Sequence, residues 1–286
     1  RPENVAAIKK EHFTLWYVSR MNETPIYNND AWLNELIAWA EENSISGTCY
    51  VKDEEYFFNI LPEKQLLLTM TKLSLSGHNL VQLPNSIGKL VSLTELNLSD
   101  NNLHELPESI GKLVNLRVLD LSNNYLTELP ESIGELTELT KLDLHTDDYF
   151  EYHHLKLPES IGKLTKLRDL RLSNNLLTEL PESIGNLIDL ANELDLSTNM
   201  LDELPESIGK LTNLIYLDLT SNVLTKLPDS IGNLTNLCGL YLCGNYCTEL
   251  PKSINMLTNL QVLTLTDVPI ENISSLPYTL QRIIRV

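Results

Sequence analysis

Asp and His side chains are concentrated in one short stretch, from His145 to His154, and this is where the sequence could hold a metal ion. The stretch reads His-Thr-Asp-Asp-Tyr-Phe-Glu-Tyr-His-His. Imidazole nitrogens and carboxylate oxygens are common ligands of zinc and other divalent cations. Their spacing here matches no known ligand motif. We therefore expect a partner-contacting loop or a tolerated insertion, with no metal and no cofactor.

Three of the four cysteines, Cys238, Cys243 and Cys247, form the second group that could do chemistry. Cys247 occupies a position where other copies of an internal repeat carry leucine, which favours a buried side chain over a reactive one. The sequence has no phosphate-binding glycine-rich loop, no Gly-x-Ser-x-Gly and no Cys-x-x-Cys. We expect no catalytic residues and no enzymatic activity; a metal-dependent or ubiquitin-ligase enzyme is the alternative from another functional class.

Acidic residues outnumber basic ones by 39 to 21, which gives a formal net charge of -18. Nucleic acids and anionic membrane surfaces carry the same sign of charge and would be repelled. No apolar run approaches the roughly 20 residues that a membrane-spanning helix needs. We therefore expect no nucleic-acid binding, no membrane insertion, and a protein partner with a basic or mixed surface.

The cysteine content predicts a reducing compartment. Four cysteines, unevenly placed, are too few for a disulfide framework. Asn97-Leu98-Ser99 would also put a glycan acceptor beside a repeat strand, which is awkward for a secreted eukaryotic protein. The sequence starts at Arg1 without a signal-like apolar stretch, so we expect a fragment of a longer intracellular, cytoplasmic protein.

An internal repeat governs the rest of the chain. A unit that begins at Leu93 starts again at Leu116, a step of 23 residues, and most units end in Leu-Pro-x-Ser-Ile-Gly. Such periodicity is the signature of stacked structural repeats. The nine units start at Met70, Leu93, Leu116, Leu139, Leu167, Leu190, Leu214, Leu237 and Leu260.

Each unit can be interpreted physically. In Leu96-x-Leu98 the two leucines point inward from a short strand, and the residue between them faces out, free of structural duty. The Asn three positions later should form a ladder that satisfies buried backbone groups of adjacent repeats. Proline starts the return segment, and glycine ends it because it tolerates a left-handed conformation. The ladder residues are Asn101, Asn124, Asn175, Asn199, Asn222 and Asn245.

The pattern LPxSIGxLxxLxxLxLxxNxL resembles two groups of leucine-rich-repeat proteins over residues 70–268. One is the intracellular Ras-suppressor group, and the other comprises Legionella-type effectors that intracellular bacteria deliver into host cells. The resemblance implies an α/β solenoid, a right-handed superhelix with a parallel concave sheet. It implies nothing about the partner, since repeat leucines support the fold and not a particular binding function.

The two ends lack the repeat and are predicted to be caps. Residues 1–69 form a helical N-terminal cap, with helices over residues 3–19 and 30–42, the second capped by Asn29 or Asp30. Residues 269–286 form the C-terminal cap, covering the last repeat with Ile273, Leu276, Leu280 and Ile283. The solenoid of nine repeats spans residues 70–268, and we expect a monomer.

Three repeats depart from the pattern. Repeat one carries His78 at the ladder position, and we expect a hydrogen-bonding histidine there. Repeat six has one extra residue at Ala191-Asn192, predicted to form a bulge. Repeat four is 28 residues long because of the His145–His154 insertion, and insertions of this kind often serve binding.

Outward residues of the concave sheet are the candidate binding residues. Charged side chains mark the middle of the sheet and tyrosines the later repeats, which is the composition of an interface hot spot. Aspartates there are suited to pair with Arg or Lys of a partner, although a solubility role accounts for them equally well. The predicted partner-binding residues are Arg168, Arg171, Asp195, Tyr216, Asp218, Tyr241 and Tyr246, with Tyr149, Phe150 and Tyr152 of the insertion.

These observations predict a non-catalytic module that binds a partner protein on its concave face. The near-identical units and the non-repeat N-terminal segment favour a bacterial effector, acting in the host cytosol. The alternative is an intracellular signalling scaffold for a small GTPase or phosphatase.

Overall fold

The computed structural model describes residues 30–45, 47–51, 54–58, 64–147, 154–271, 274 and 276–285. Four predictions therefore concern residues outside this part of the chain. They are the helix over residues 3–19, the insertion residues Tyr149, Phe150 and Tyr152, the alternative helix cap Asn29, and the cap residue Ile273.

Each Leu-x-Leu segment forms a three-residue strand, and the strands stack in chain order with equivalent residues side by side. Leu96 pairs with Leu119, which pairs with Leu142, and all three are fully buried. With the two-residue β12, the described residues contain ten parallel strands in one sheet. The predicted parallel sheet of the solenoid is confirmed. The strands are β3 Lys72–Ser74, β4 Glu95–Asn97, β5 Val118–Asp120, β6 Lys141–Asp143, β7 Asp169–Arg171, β8 Glu193–Asp195, β9 Tyr216–Asp218, β10 Gly239–Tyr241, β11 Val262–Thr264 and β12 Ile284–Arg285.

The N-terminal end is closed by a helix and a hairpin. Helix α1, Ala31–Glu42, buries Leu33, Leu36 and Trp39, and the Trp39 indole donates a hydrogen bond to the Gln82 carbonyl at 3.0 Å. The helix confirms the prediction, but its N-terminal residue does not cap it with its side chain. The Asp30 carboxylate instead pairs with Lys64.

Sequence reasoning did not predict the hairpin between the helix and the first repeat. Strands β1, Gly47–Val51, and β2, Glu54–Phe58, are antiparallel, and β1 also pairs antiparallel with β3. A short helix α2, Lys64–Thr69, then leads into the first repeat strand. The N-terminal edge of the solenoid sheet is therefore covered by strands rather than by helices alone.

The return segments form 3-10 turns, each preceded by a proline in extended conformation. Their glycines are not left-handed, which corrects the prediction from sequence. Glycine is needed because successive turns approach closely: a Cβ on Gly209 would lie 2.4 Å from the Ser230 carbonyl oxygen. The turns are Asn85–Lys89, Glu108–Lys112, Glu131–Glu135, Glu159–Lys163, Glu182–Asn186, Glu206–Lys210, Asp229–Asn233 and Lys252–Met256.

Left-handed backbone occurs instead in the residue before the ladder position, where the chain turns away from the sheet. Asp100 and Asn123 have φ of 55° and 53°, and Gly77 and Gly244 occupy the same position in their repeats. Short polar side chains and glycine tolerate this conformation best.

The asparagine ladder is as predicted. Asn222 is 3% exposed; its amide nitrogen donates to the carbonyls of Leu196 and Leu219, and its amide oxygen accepts from the Leu201 N–H at 3.1 Å. Each side chain therefore satisfies backbone groups of its own repeat and of the preceding one. The other ladder asparagines are also buried.

Repeats one and four lack the ladder asparagine, and the residues that replace it are placed differently. In repeat one, the His78 backbone N–H donates to the Asn101 side chain, and ring Nδ1 of His78 lies 2.9 Å from the Ser76 carbonyl, so the histidine hydrogen-bonds as predicted. In repeat four, Asp147 replaces the ladder asparagine, and its side chain is 75% exposed. Asp147 hydrogen-bonds Asn123 on the surface, and it supplies no ladder contact of its own.

The C-terminal end is covered by the short helix α3, Tyr278–Gln281, and by β12. Leu276 and Leu280 are buried in the common core, and Ile283 packs against it. Their burial fits the predicted C-terminal cap, which stays a prediction.

A Gly209→Ala variant should be less stable than the wild type by about 3 kcal/mol, because the new methyl group meets backbone that cannot move aside. Ser230→Ala is the matched control. The Ser230 hydroxyl is buried and has no hydrogen-bond partner among the described residues, so this change should be neutral or slightly stabilising. Urea unfolding measures both, and a Gly209→Ala protein of wild-type stability contradicts the close-approach explanation.

Candidate protein-binding face

The outward residues of the sheet form two columns, because equivalent residues of neighbouring strands lie side by side. Glu193, Tyr216 and Gly239 are neighbours in one column. Asp195, Asp218 and Tyr241 are neighbours in the other, two residues further along each strand. Strands β8 to β10 thus present a continuous surface of six side-chain positions.

The aspartates of the second column have a structural role, which corrects the prediction that outward residues are free of one. Oδ1 of Asp218 accepts a hydrogen bond from the Thr220 N–H at 2.8 Å, and Oδ1 of Asp195 accepts one from the Ser197 N–H at 3.0 Å. Asp120 makes the same contact with Ser122. Each carboxylate thereby caps the end of its strand with one oxygen and leaves the other available.

Cations and carboxylates balance each other on β6 and β7. Arg171 lies 3.8 Å from Asp143 and 3.6 Å from Asp169, and Lys141 lies 3.8 Å from both carboxylates. Arg171 is thus engaged within the protein. Arg168, just before β7, is exposed at the edge of the sheet.

The carboxylates on β8 and β9 are not paired with cations in this way. Within the described part of the chain, no Lys, Arg or His lies within ion-pair distance of Glu193, Asp195 or Asp218. Partial burial, and then the charges of Asp195 and Asp218, raise the pKa of Glu193. This surface, which we call the acidic patch, therefore carries an excess of negative charge that Arg171 offsets only in part.

Two tyrosines lie beside the acidic patch and share a glycine. A Cβ on Gly239 would lie 2.7 Å from Cδ1 of Tyr216 and 3.0 Å from the Tyr241 hydroxyl, so both rings cover the bare glycine backbone. Tyr216 remains 41% exposed. Burial, followed by the nearby Tyr216 and Glu193, raises the pKa of Tyr241. We call Tyr216, Gly239 and Tyr241 the tyrosine platform.

The structure brings together four of the predicted site residues: Asp195, Tyr216, Asp218 and Tyr241. Tyr246 is separate from them; it lies beyond the ladder, where the chain has left the sheet after the left-handed Gly244. Sequence reasoning missed Glu193 and Gly239. A glycine in an outward strand position, next to two tyrosines in the columns, was the available signal for the platform.

Among the described residues, no three His, Cys, Asp or Glu side chains are arranged to hold a metal ion. Cys247 is buried, and burial raises its thiol pKa to about 11, so it is a poor nucleophile at neutral pH. Over the same part of the chain, the helices are too short or too polar to cross a bilayer.

Parallel strands, 3-10 returns and a buried asparagine ladder define a leucine-rich-repeat solenoid. The family model for the leucine-rich repeat region matches residues 63–156 and 144–244. The chain belongs to the leucine-rich-repeat family, whose fold generally serves as a non-catalytic interaction scaffold. No protein of curated function matches the sequence.

Plant receptors are among the similar solved structures. The leucine-rich-repeat ectodomain of the Arabidopsis thaliana receptor kinase GASSHO1/SCHENGEN3, in complex with CASPARIAN STRIP INTEGRITY FACTOR 2, is 32% identical with a TM-score of 0.59, over 70% of this chain and 24% of that one. The plant peptide hormone receptor RGFR1, in complex with RGF2, is 33% identical with a TM-score of 0.55, over 68% and 35%. This chain spans about a quarter to a third of those proteins.

Replacing Glu193 with glutamine should stabilise the protein at pH 7 by up to about 1 kcal/mol, a size limited by solvent screening. A carboxyl group whose pKa is raised by folding favours the folded state below its unfolded pKa, and this advantage is lost as pH rises through the folded pKa. The stability difference between Glu193→Gln and the wild type should therefore vanish near pH 4, where the carboxyl group is protonated and uncharged like the glutamine. Thermal denaturation at several pH values measures it.

Glu95→Gln is the matched control, because Glu95 occupies the same column but pairs with Lys72 at 2.7 Å. It should show no gain at pH 7. Equal gains in stability for the two variants would mean that Glu193 is compensated by cations as fully as Glu95 is.

Proposed function

We propose that this chain is a protein-interaction module that binds a partner polypeptide on its concave face, across β8 to β10. One observation carries the proposal: the acidic patch, whose carboxylates form no ion pair within the described chain, adjoins the exposed tyrosine platform. Aromatic side chains bury a large area at little entropic cost, and free carboxylates attract Arg and Lys. Together they match a partner segment with a basic or mixed surface.

The comparisons support a polypeptide as the partner. The two plant receptor structures described above were each solved in complex with another molecule, and one of them is described as a peptide hormone receptor. A concave sheet of parallel strands offers an extended surface with one row of side chains per repeat. The partner of this chain is a polypeptide recognised mainly by repeats six to eight.

The cellular setting of the proposal is the interior of a host cell, as for a bacterial effector. Cys238 and Cys243 are free and partly exposed, and Cys247 is free and buried, which suits a reducing compartment. The likeness of the repeat to Legionella-type effectors supports the same setting. An intracellular scaffold for a small GTPase or phosphatase is the second candidate, on the likeness to the Ras-suppressor group. We propose a monomer for both.

Combining Tyr216→Ala, Tyr241→Ala and Asp218→Asn should reduce partner capture by at least about tenfold, since the change removes the aromatic area and one charge. Asparagine keeps the side-chain oxygen that accepts from the Thr220 N–H, so the strand end stays capped. Affinity purification from a candidate host lysate, with quantified recovery of the captured protein, measures the effect. Thermal stability should change little.

Asp120→Asn is the matched control, because Asp120 occupies the same column and caps Ser122 in the same way. Capture should be unaffected by this change. Undiminished capture by the triple variant would place the binding site elsewhere and refute the proposal.

Partner binding should weaken as pH falls from 7 towards 4. A cationic partner interacts with ionised Glu193, whose raised pKa brings its protonation closer to neutral pH than for an ordinary glutamate. Glu193→Gln should flatten this dependence. Equilibrium binding of the captured partner at several pH values tests it, and a binding curve independent of pH would count against a cationic contact at this residue.

A further inference from the structure

A second surface with distinct chemistry runs along the edge of the solenoid that follows the carboxyl ends of the strands. It consists of the residue after the ladder position in repeats six to nine. The members are Met200, Val223, Tyr246 and Pro269, which we call the edge stripe.

The edge stripe is apolar and open to solvent. Met200 is 39% exposed and Tyr246 62% exposed, while Val223 is half-buried and Pro269 exposed. The equivalent positions in repeats one and two are Asn79 and Asn102, which are polar. Repeats three and five carry Tyr125, which is half-buried, and Leu176, which is buried, at this position. Repeats six to nine are where apolar residues at this position follow one another without a polar interruption. Contiguous exposed apolar patches of this kind mark interaction sites.

Regular backbone hydrogen bonds fix the spacing of the stripe. The N–H groups of Met200, Val223 and Tyr246 donate to the carbonyls of Leu177, Leu201 and Leu224 in the preceding repeats, at 2.8, 3.1 and 2.9 Å. Chain segments bonded in this way lie about 4.8 Å apart. The stripe thus presents one apolar side chain roughly every 5 Å along the solenoid axis.

This spacing favours a helix as the occupant. Successive turns of an α-helix are 5.4 Å apart, so apolar residues at i, i+4, i+7 and i+11 would meet one repeat each. Residues on one face of an extended strand are about 6.8 Å apart and lose register within two repeats.

Charge around the stripe specifies the flanks of that helix. Lys226 is the only cation among the exposed charged residues that flank the stripe within the described chain, and it lies 3.6 Å from Glu203. The remaining flanking charges are acidic: Asp202, Glu203, Glu249, Asp267 and Glu271. A partner helix with Lys or Arg beside its apolar face would be complementary to this edge.

We propose that the edge stripe docks an amphipathic, basic helix of a partner protein, lying parallel to the solenoid axis across repeats six to nine. This site is separate from the acidic patch and the tyrosine platform, and it does not depend on the concave-face proposal. It also gives Tyr246 a role apart from the other tyrosines.

A synthetic peptide of about 18 residues, or five helical turns, provides the probe. This amphipathic peptide carries Leu at i, i+4, i+7 and i+11 and Lys, Arg and Gln elsewhere. The control peptide has the same composition in an order that gives no apolar face. Fluorescence anisotropy at about 150 mM salt, where long-range attraction is screened, measures the dissociation constants. The amphipathic peptide should bind at least about tenfold more tightly and gain helical circular dichroism on binding.

A triple variant places at this edge the residue found in repeats one and two: Met200→Asn, Val223→Asn and Tyr246→Asn. It should bind the amphipathic peptide at least about tenfold more weakly than the wild type does. The Tyr216→Ala, Tyr241→Ala variant should bind it as the wild type does, which separates this site from the concave face. Equal binding of the two peptides, no saturable binding, or full binding to the triple asparagine variant would overturn the proposal. A dimer in sedimentation that the asparagine variant abolishes would assign the stripe to a second copy and also overturn it.

Discussion

The whole structure depends on pairing backbone polar groups between one repeat and the next. A single repeat leaves its strand N–H and carbonyl groups and its turn carbonyls unpaired, and burying them unpaired would cost more than the leucines gain. The asparagines such as Asn222 complete that pairing where the strand ends and regular sheet bonding stops. Once these groups are paired, successive repeats can stack so closely that only glycine fits between neighbouring 3-10 turns, and this stacking buries the leucines.

This requirement divides the surface into positions with and without structural obligations. Outward aspartates such as Asp195 use one oxygen for the strand end, and convex glutamates such as Glu159 accept from the Ser183 N–H of the next turn. The acidic composition of the chain is therefore partly structural. Glu193, Tyr216 and Met200 carry no such obligation in the described structure, and they lie where the repeats differ most from one another.

Periodicity made the strands, the returns and the asparagine ladder predictable, because a 23-residue step and the Leu-x-Leu pattern allow few backbone solutions. The hairpin β1–β2 was not predictable, since no Asn-Gly or Asp-Gly turn marks it and it does not repeat. The sequence predicted a left-handed backbone at the glycines of the turns, whereas Gly209 is required by the close approach of the next turn. Both requirements select glycine, so the sequence alone does not distinguish them. Four of the six positions of the binding face were found from composition. Pairing decides which charges are free: Arg171 is neutralised by Asp143 and Asp169, and nothing in the sequence order shows that.

Asp147 has a consequence for how the molecule responds to heat or force. Adjacent repeats hold each other only through their shared interface, so the resistance of the stack is set junction by junction. At repeat four the ladder position is the largely exposed Asp147, and among the described residues the carbonyl of Leu121 receives a side-chain amide only from Asn124 of its own repeat. We therefore expect the junction between repeats three and four, which lacks this ladder bond, to separate before the junctions on either side of it.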